Sequence, residues 1–250
     1  MAESILMIGV YLSGMMIGSF LNVVIYRTPR GESIAFPSSH CTSCNTKLKW
    51  YHNIPLFSWL FLGGKCAFCK EPISKQYPIV ELLTGLLWLA LYYKIGLVWY
   101  FPFIAGSFTA LLALTVIDIK YYAVPDSVNF SGLLLALIQP ATLQLHWGNP
   151  IASALFAAGG LWLLAKIISI VARKEAMGGA DVIVAGTMAA LLGFPGFFLA
   201  LFLSAILAIL PSLFAKDTMV PFVPFLAMAT LIIYLFDTAA MRLVEWIIYG

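Results

Sequence analysis

Two sets of side chains in this sequence combine residue type and spacing in ways that can do chemistry. The first lies in HCTSC and KCAFC: Cys41 and Cys44, then Cys66 and Cys69, two C-x2-C pairs with twenty-one residues between them. Each pair makes a tight knuckle, and two knuckles bring four thiolates around one tetrahedral ion, with zinc the usual occupant. Four cysteine ligands leave no coordination position for water, so such an ion is structural. Two disulfides are the competing arrangement. His40 and His52 stand nearby as alternative ligands or ordinary packing residues.

The second set is acidic. Asp118 closes the apolar run LLALTVID, and Asp181 opens another in MGGADVIVAG. A carboxylate at the centre of a membrane helix costs about 2.5–3.5 kcal/mol on insertion scales, so each of these needs a reason to be where it is. Two carboxylates around one water can share a proton: the ionised member takes a proton from water while the protonated member polarises a peptide carbonyl. Such a pair titrates as a unit. From the residues alone, helix capping and ion coupling in a transporter compete with this dyad. Asp118 is followed by Lys120, and an Asp at a helix start is favoured by the helix dipole. Gly178 and Gly179 permit unusual backbone angles and the close approach of another chain, which makes them candidates for substrate binding. Glu81, Asp126 and Asp237 are the other acids in or beside apolar segments.

The elements that must position these groups follow from composition. The chain is 62% hydrophobic and 10% charged, far more apolar than a soluble domain of its length. Its apolar runs are continuous rather than alternating, so the spans are α-helices, and the fold class is an all-α polytopic membrane protein. Windows of about 20 residues predict eight spans: Ile5 to Tyr26, Ile79 to Leu97, Val98 to Ile117, Ser127 to Leu145, Ile151 to Ala172, Val182 to Phe194, Pro195 to Ala215 and Pro221 to Met241. GFPG, Gly193 to Gly196, supplies the turn that splits one overlong run. The sixth span is short: about 13 residues reach only about 20 Å, which predicts that Asp181 lies below the membrane surface in a wet, protein-lined recess. The first span lacks a basic region before it and a cleavage site after it, and reads as a retained helix.

Arg27, Arg30, Lys47, Lys49, Lys65, Lys70 and Lys75 all lie between spans one and two, against Glu32 and Glu71, while QLHWGNP after span four has no Lys or Arg. The positive-inside rule puts the first loop in the cytoplasm, and Asp118, Asp181 and the Arg173-Lys174 pair on the same side. Stable disulfides are rare there, which favours the metal. The net charge of +3 reflects this topology and predicts no nucleic-acid binding. The predicted organisation is a first helix (1–26), a cytoplasmic four-cysteine insert (27–78) that metal binding helps to fold, and a helical membrane domain (79–250). GMMIG, Gly14 to Gly18, spaces small residues for close helix packing within the bundle.

Together these motifs resemble the bacterial type IV prepilin leader peptidases, bifunctional enzymes of the GxGD membrane aspartyl protease class. The resemblance runs from GSFLNVVIYR (Gly18 to Arg27) through both cysteine pairs, NIPLFSWLFLGGKC and ISKQYPIVELLTG, to Asp118 in a D-x6-P-D pattern. The GxGD turn maps onto Gly178 to Asp181 but reads GGAD, with Ala180 in place of the second glycine and Ile183 where a lysine often follows. Alanine fits that position if its φ is negative. The resemblance implies that Asp118 and Asp181 are the catalytic pair. It implies cytoplasmic cleavage of a basic leader after glycine from type IV prepilins or the pseudopilins of type II secretion. Methylation of the new N-terminal residue with S-adenosylmethionine follows, in the bacterial inner membrane. The family associates the cysteine insert with methyl transfer, and Gly64-Lys65-Cys66 matches its pattern. Glu81 is a candidate contact for substrate or insert. The residues that bind S-adenosylmethionine are not assigned, and no glycine-rich nucleotide turn is present.

Overall fold

A computed structural model describes residues 2–140, 149–172, 178–214 and 220–250. The end of the fourth predicted span, the loop residues Gln144 to Gly148 and the Arg173-Lys174 pair lie outside these residues. The elements of the described chain are helices, apart from two isolated β-bridges in the insert, and the chain divides into two compact units, Met1–Leu97 and Val98–Gly250.

The first unit is a helix pair with the cysteine insert between its members: α1 (Ala2–Arg27), the short α2 (Phe57–Phe61) within the insert, and α3 (Gln76–Ile95). Small residues let α1 and α3 approach closely. A Cβ on Gly14 would lie 2.9 Å from the Gly85 Cα, and one on Gly18 would lie 2.8 Å from the Glu81 Cα. The GMMIG spacing therefore serves packing inside this unit. Asn22, fully buried, ties the helices together by donating to the Tyr77 carbonyl at 3.1 Å and accepting from Gln76 Nε2 at 3.2 Å.

The second unit contains α4 (Phe101–Tyr121), α5 (Asp126–Ala136), α6 (Pro150–Ala172), α7 (Gly179–Leu192), α8 (Gly196–Phe214), α9 (Val223–Leu235) and α10 (Asp237–Tyr249). At its centre is α7, which packs against α4, α5, α6, α8 and α9, with every residue from Val184 to Leu192 buried. Gly193, at φ 63°, ends α7, and α8 begins three residues later, as the GFPG turn predicts.

Among the described residues, five helices are long and apolar enough to cross a membrane: α1, α3, α4, α6 and α8. Two predicted spans differ. In the fourth predicted span the helix, α5, stops at Ala136, well short of Leu145. The last span breaks at Phe236 and turns by 89° into α10. That helix is strongly amphipathic and carries Asp237, Arg242 and Glu245, the pattern of a helix that lies along a polar boundary. The bent pair counts as a sixth span if taken as one crossing.

Candidate functional site

Asp118 sits in the last turn of α4, which ends where Tyr122 turns left-handed at φ 49°. Its side chain is 7% exposed, and Oδ2 accepts the backbone N–H of Val223 at 3.1 Å. Val223 is the first residue of α9, so Asp118 satisfies one of the amides that a helix start leaves without an intrahelical partner. Lys120 and Asp126, by contrast, are exposed.

Asp181 is the third residue of α7 and half-buried. Gly178, extended at φ −69° and ψ 143°, is the N-cap, and its carbonyl accepts the Asp181 N–H at 3.1 Å. The carboxylate folds back towards it, so that a Cβ on Gly178 would lie 3.6 Å from Asp181 Oδ2. Neither Gly178 nor Gly179 has a positive φ, so backbone strain does not account for these glycines. They leave space instead: both are exposed, and a Cβ on Gly179 would meet nothing within 4 Å. Ala180 is helical with negative φ, the condition under which alanine fits the second glycine position. Helices α4 and α7 touch, and Asp181 lies within the electrostatic field of Asp118.

Two residues not singled out by the sequence hold α7 in place. Asn129, fully buried in α5, donates from Nδ2 to the Ala180 carbonyl at 2.9 Å. Gln139, also buried, donates from Nε2 to the Ala190 carbonyl near the other end of the helix. Their signal in the sequence is a carboxamide within an otherwise apolar run.

In the first unit, the four cysteines form a cluster whose sulfurs lie within 4.8 Å of one another. The two knuckles share one backbone design. Cys41 N–H donates to Thr46 O and Asn45 N–H to Cys41 O; Cys66 N–H donates to Glu71 O and Lys70 N–H to Cys66 O. In each, the residue after the second cysteine is left-handed, Asn45 at φ 55° and Lys70 at φ 62°. No disulfide links them: all four thiols are free, and Cys41 Sγ lies 3.8 Å from Cys69 Sγ. Four sulfurs at about 2.3 Å from a tetrahedral ion are about 3.8 Å apart, so the cluster can hold one metal ion. The Thr46 hydroxyl and backbone draw the Cys44 thiol down to about 6. The Glu71 backbone draws Cys69 down, but burial and the neighbouring thiols prevail and push it up to about 12. The histidines are packing residues: the His52 ring stacks edge-on against Tyr51 and Phe68, and His40 Nδ1 meets the Ser38 carbonyl at 3.0 Å.

Glu81 belongs to neither group. It lies buried in α3, where Oε2 accepts the Leu56 backbone N–H at 2.7 Å. It is a contact to the insert.

The model of the bacterial Peptidase A24 N-terminal domain matches residues 12–95, and that of the type IV leader peptidase family matches residues 104–213. A prepilin leader peptidase/N-methyltransferase of Neisseria gonorrhoeae is 32% identical over 267 residues, covering 93% of this chain and 91% of that protein. The chain belongs to the type IV leader peptidase family. A type 4 prepilin-like proteins leader peptide-processing enzyme of Escherichia coli O78:H11 is 36% identical over 210 residues, 73% of this leader peptidase family member and 75% of the relative. A prepilin leader peptidase/N-methyltransferase of Myxococcus xanthus is 36% identical over 177 residues, 68% of this chain but only 51% of that protein. No solved structure matches. All four cysteines fall within the first matched segment, and Asp118 and Asp181 within the second.

Proposed function

We propose that this chain removes the leader peptide from type IV prepilins or pseudopilins and then methylates the exposed N-terminal residue. Relatives named for both activities, matched along most of the chain, support the reading. The observation that carries the peptidase half is the approach of Asp118 and Asp181 through the touching helices α4 and α7.

In this reading, a water between the two carboxylates attacks the carbonyl of the bond after the leader glycine. The ionised aspartate takes the proton of the water, and the protonated one hydrogen-bonds the carbonyl oxygen as it becomes tetrahedral. Collapse breaks the C–N bond, a carboxyl proton passes to the leaving amine, and the pair again holds one proton. The Val223 N–H keeps Asp118 oriented, and the open surface at Gly178 and Gly179 gives an extended peptide room beside Asp181.

The cysteine cluster then holds structural zinc through Cys41, Cys44, Cys66 and Cys69, which orders the insert. S-adenosylmethionine, when bound, supplies the methyl group for the new α-amine, and no residue of this chain is assigned to it. The chain sits in the bacterial inner membrane with the insert and both aspartates on the cytoplasmic side, as the basic first loop supports. Eight passes follow if α5, α7 and α9 also cross.

Purified protein is mixed with a prepilin, with and without S-adenosylmethionine, and the products are weighed. Leader loss in both cases and one added methyl only with the cofactor are expected. Asp118→Asn and Asp181→Asn should each lower cleavage by at least about 10²- to 10⁴-fold; full cleavage by either variant removes that residue from the mechanism.

A further inference from the structure

The insert does not simply stand away from the helix pair. Its segment NIPLFSWLF, Asn53 to Phe61, returns to it. At Leu56 the chain makes a three-residue turn, with φ 60° and ψ −51° and Phe57 N–H donating to the Pro55 carbonyl at 2.6 Å. This is the strained hand of the γ-turn, rare for a residue with a side chain. The Leu56 N–H points at the Glu81 carboxylate, 2.7 Å away.

The depth of that contact follows from the helices. Glu81 is the sixth residue of α3, about 7.5 Å along its axis from the start. On α1 the same level is marked by Gly18, against whose backbone Glu81 packs. Gly18 lies nine residues before the end of α1 at Arg27, about 13.5 Å along that axis. Both helices are long and apolar enough to cross a membrane. The start of α2 is therefore tethered well inside the ends of the helices that cross the bilayer.

The outward face of α2 suits that position. Phe57, Leu60 and Phe61, spaced i, i+3, i+4, are 49%, 56% and 87% exposed. Trp59, on the other face, packs on Gly64 and donates from Nε1 to the Ile73 carbonyl at 3.3 Å. In α3, Ile79, Leu83 and Leu86 are also outward, so the apolar face of α2 is tethered at the level of an exposed apolar surface of the same unit.

We propose that α2 is a membrane-dipping anchor: Glu81 draws the insert back below the headgroups, and Phe57, Leu60 and Phe61 pack among acyl chains of the leaflet that α1 and α3 traverse. The partner is the bilayer itself, engaged as an amphipathic interfacial helix engages it. This is independent of the aspartate dyad.

The test uses the full chain, with p-benzoylphenylalanine replacing Phe61, reconstituted in vesicles of phosphatidylcholine and phosphatidylglycerol and irradiated. Lipid adducts are expected at a yield matching that of the same probe at Leu86, with a probe at Phe57 behaving alike. Adding Glu81→Ala should lower the yield at Phe61 severalfold and leave that at Leu86 unchanged. The proposal is overturned if Phe61 gives no lipid adduct while Leu86 does, if Phe61 labels residues 98–250 or added prepilin instead, or if Glu81→Ala changes nothing at Phe61.

Discussion

Asn129 donates its side-chain amide to the carbonyl of Ala180, the residue immediately before Asp181, from a helix 51 positions earlier in the chain. The start of α7, and with it the Asp181 carboxylate, is thus held by a buried amide from α5. Asn129→Ala should lower peptidase kcat by about 10- to 100-fold through misplacement of Asp181. Methylation of a precleaved pilin should be unchanged. Asn129→Asp, which keeps the shape but not the donor, should lose as much; full cleavage by that variant removes the positioning role.

The alanine in the GGAD turn should be harmless to the chemistry. Because Ala180 is helical but only the second residue of α7, Ala180→Gly should keep cleavage within a fewfold of the natural chain while lowering stability by less than the ~1 kcal/mol that glycine costs in a helix interior. Thermal melts alongside cleavage rates measure both. A large gain in rate would mean that the alanine obstructs the substrate.

Metal analysis of purified protein should find one zinc per chain. Cys66→Ser combined with Cys69→Ser removes one whole knuckle and should abolish binding, and a strong chelator should lower the melting temperature of the natural chain but not of this variant. Equal stability with and without metal would count against a folding role for the cluster.

With the metal stripped, the thiols should react unequally. Cys44, drawn down to about 6 from 9.0, is mostly thiolate at neutral pH, whereas Cys69, pushed up to about 12, is protonated. Since the thiolate is the nucleophile, iodoacetamide at pH 7 should label Cys44 well before Cys69. Lowering the pH through about 6 protonates Cys44 and should slow its labelling. Mass spectrometry of peptides over time reads the order.

The apolar runs made α1, α3, α4, α6 and α8 legible, because an unbroken hydrophobic stretch of about 20 residues is the length a helix needs to cross the hydrocarbon core. The reading and the structure differ where α5 stops at Ala136 and where the charged, amphipathic α10 turns away after Phe236. The C-x2-C spacing announced the four-cysteine cluster, since both pairs are local in sequence and each knuckle closes through its own backbone. Asn129 and Gln139 stayed hidden because their partners, Ala180 and Ala190, are 51 residues away and offer only backbone carbonyls. Glu81 announced itself as an unusual charge, but its partner at Leu56 is again a main-chain group that no residue type reveals.

Helix α7 also acts as a ruler. From Val184 to Leu192 it is enclosed by protein, so lipid cannot adjust around it, and its fourteen residues set the level of Asp181 by counting. At 1.5 Å per residue its length is about 21 Å, and one added turn would shift the carboxylate by about 5.4 Å. On the proposed reading, the bond that is cut in a prepilin is selected by its altitude on the substrate helix as much as by the side chains on either side of it.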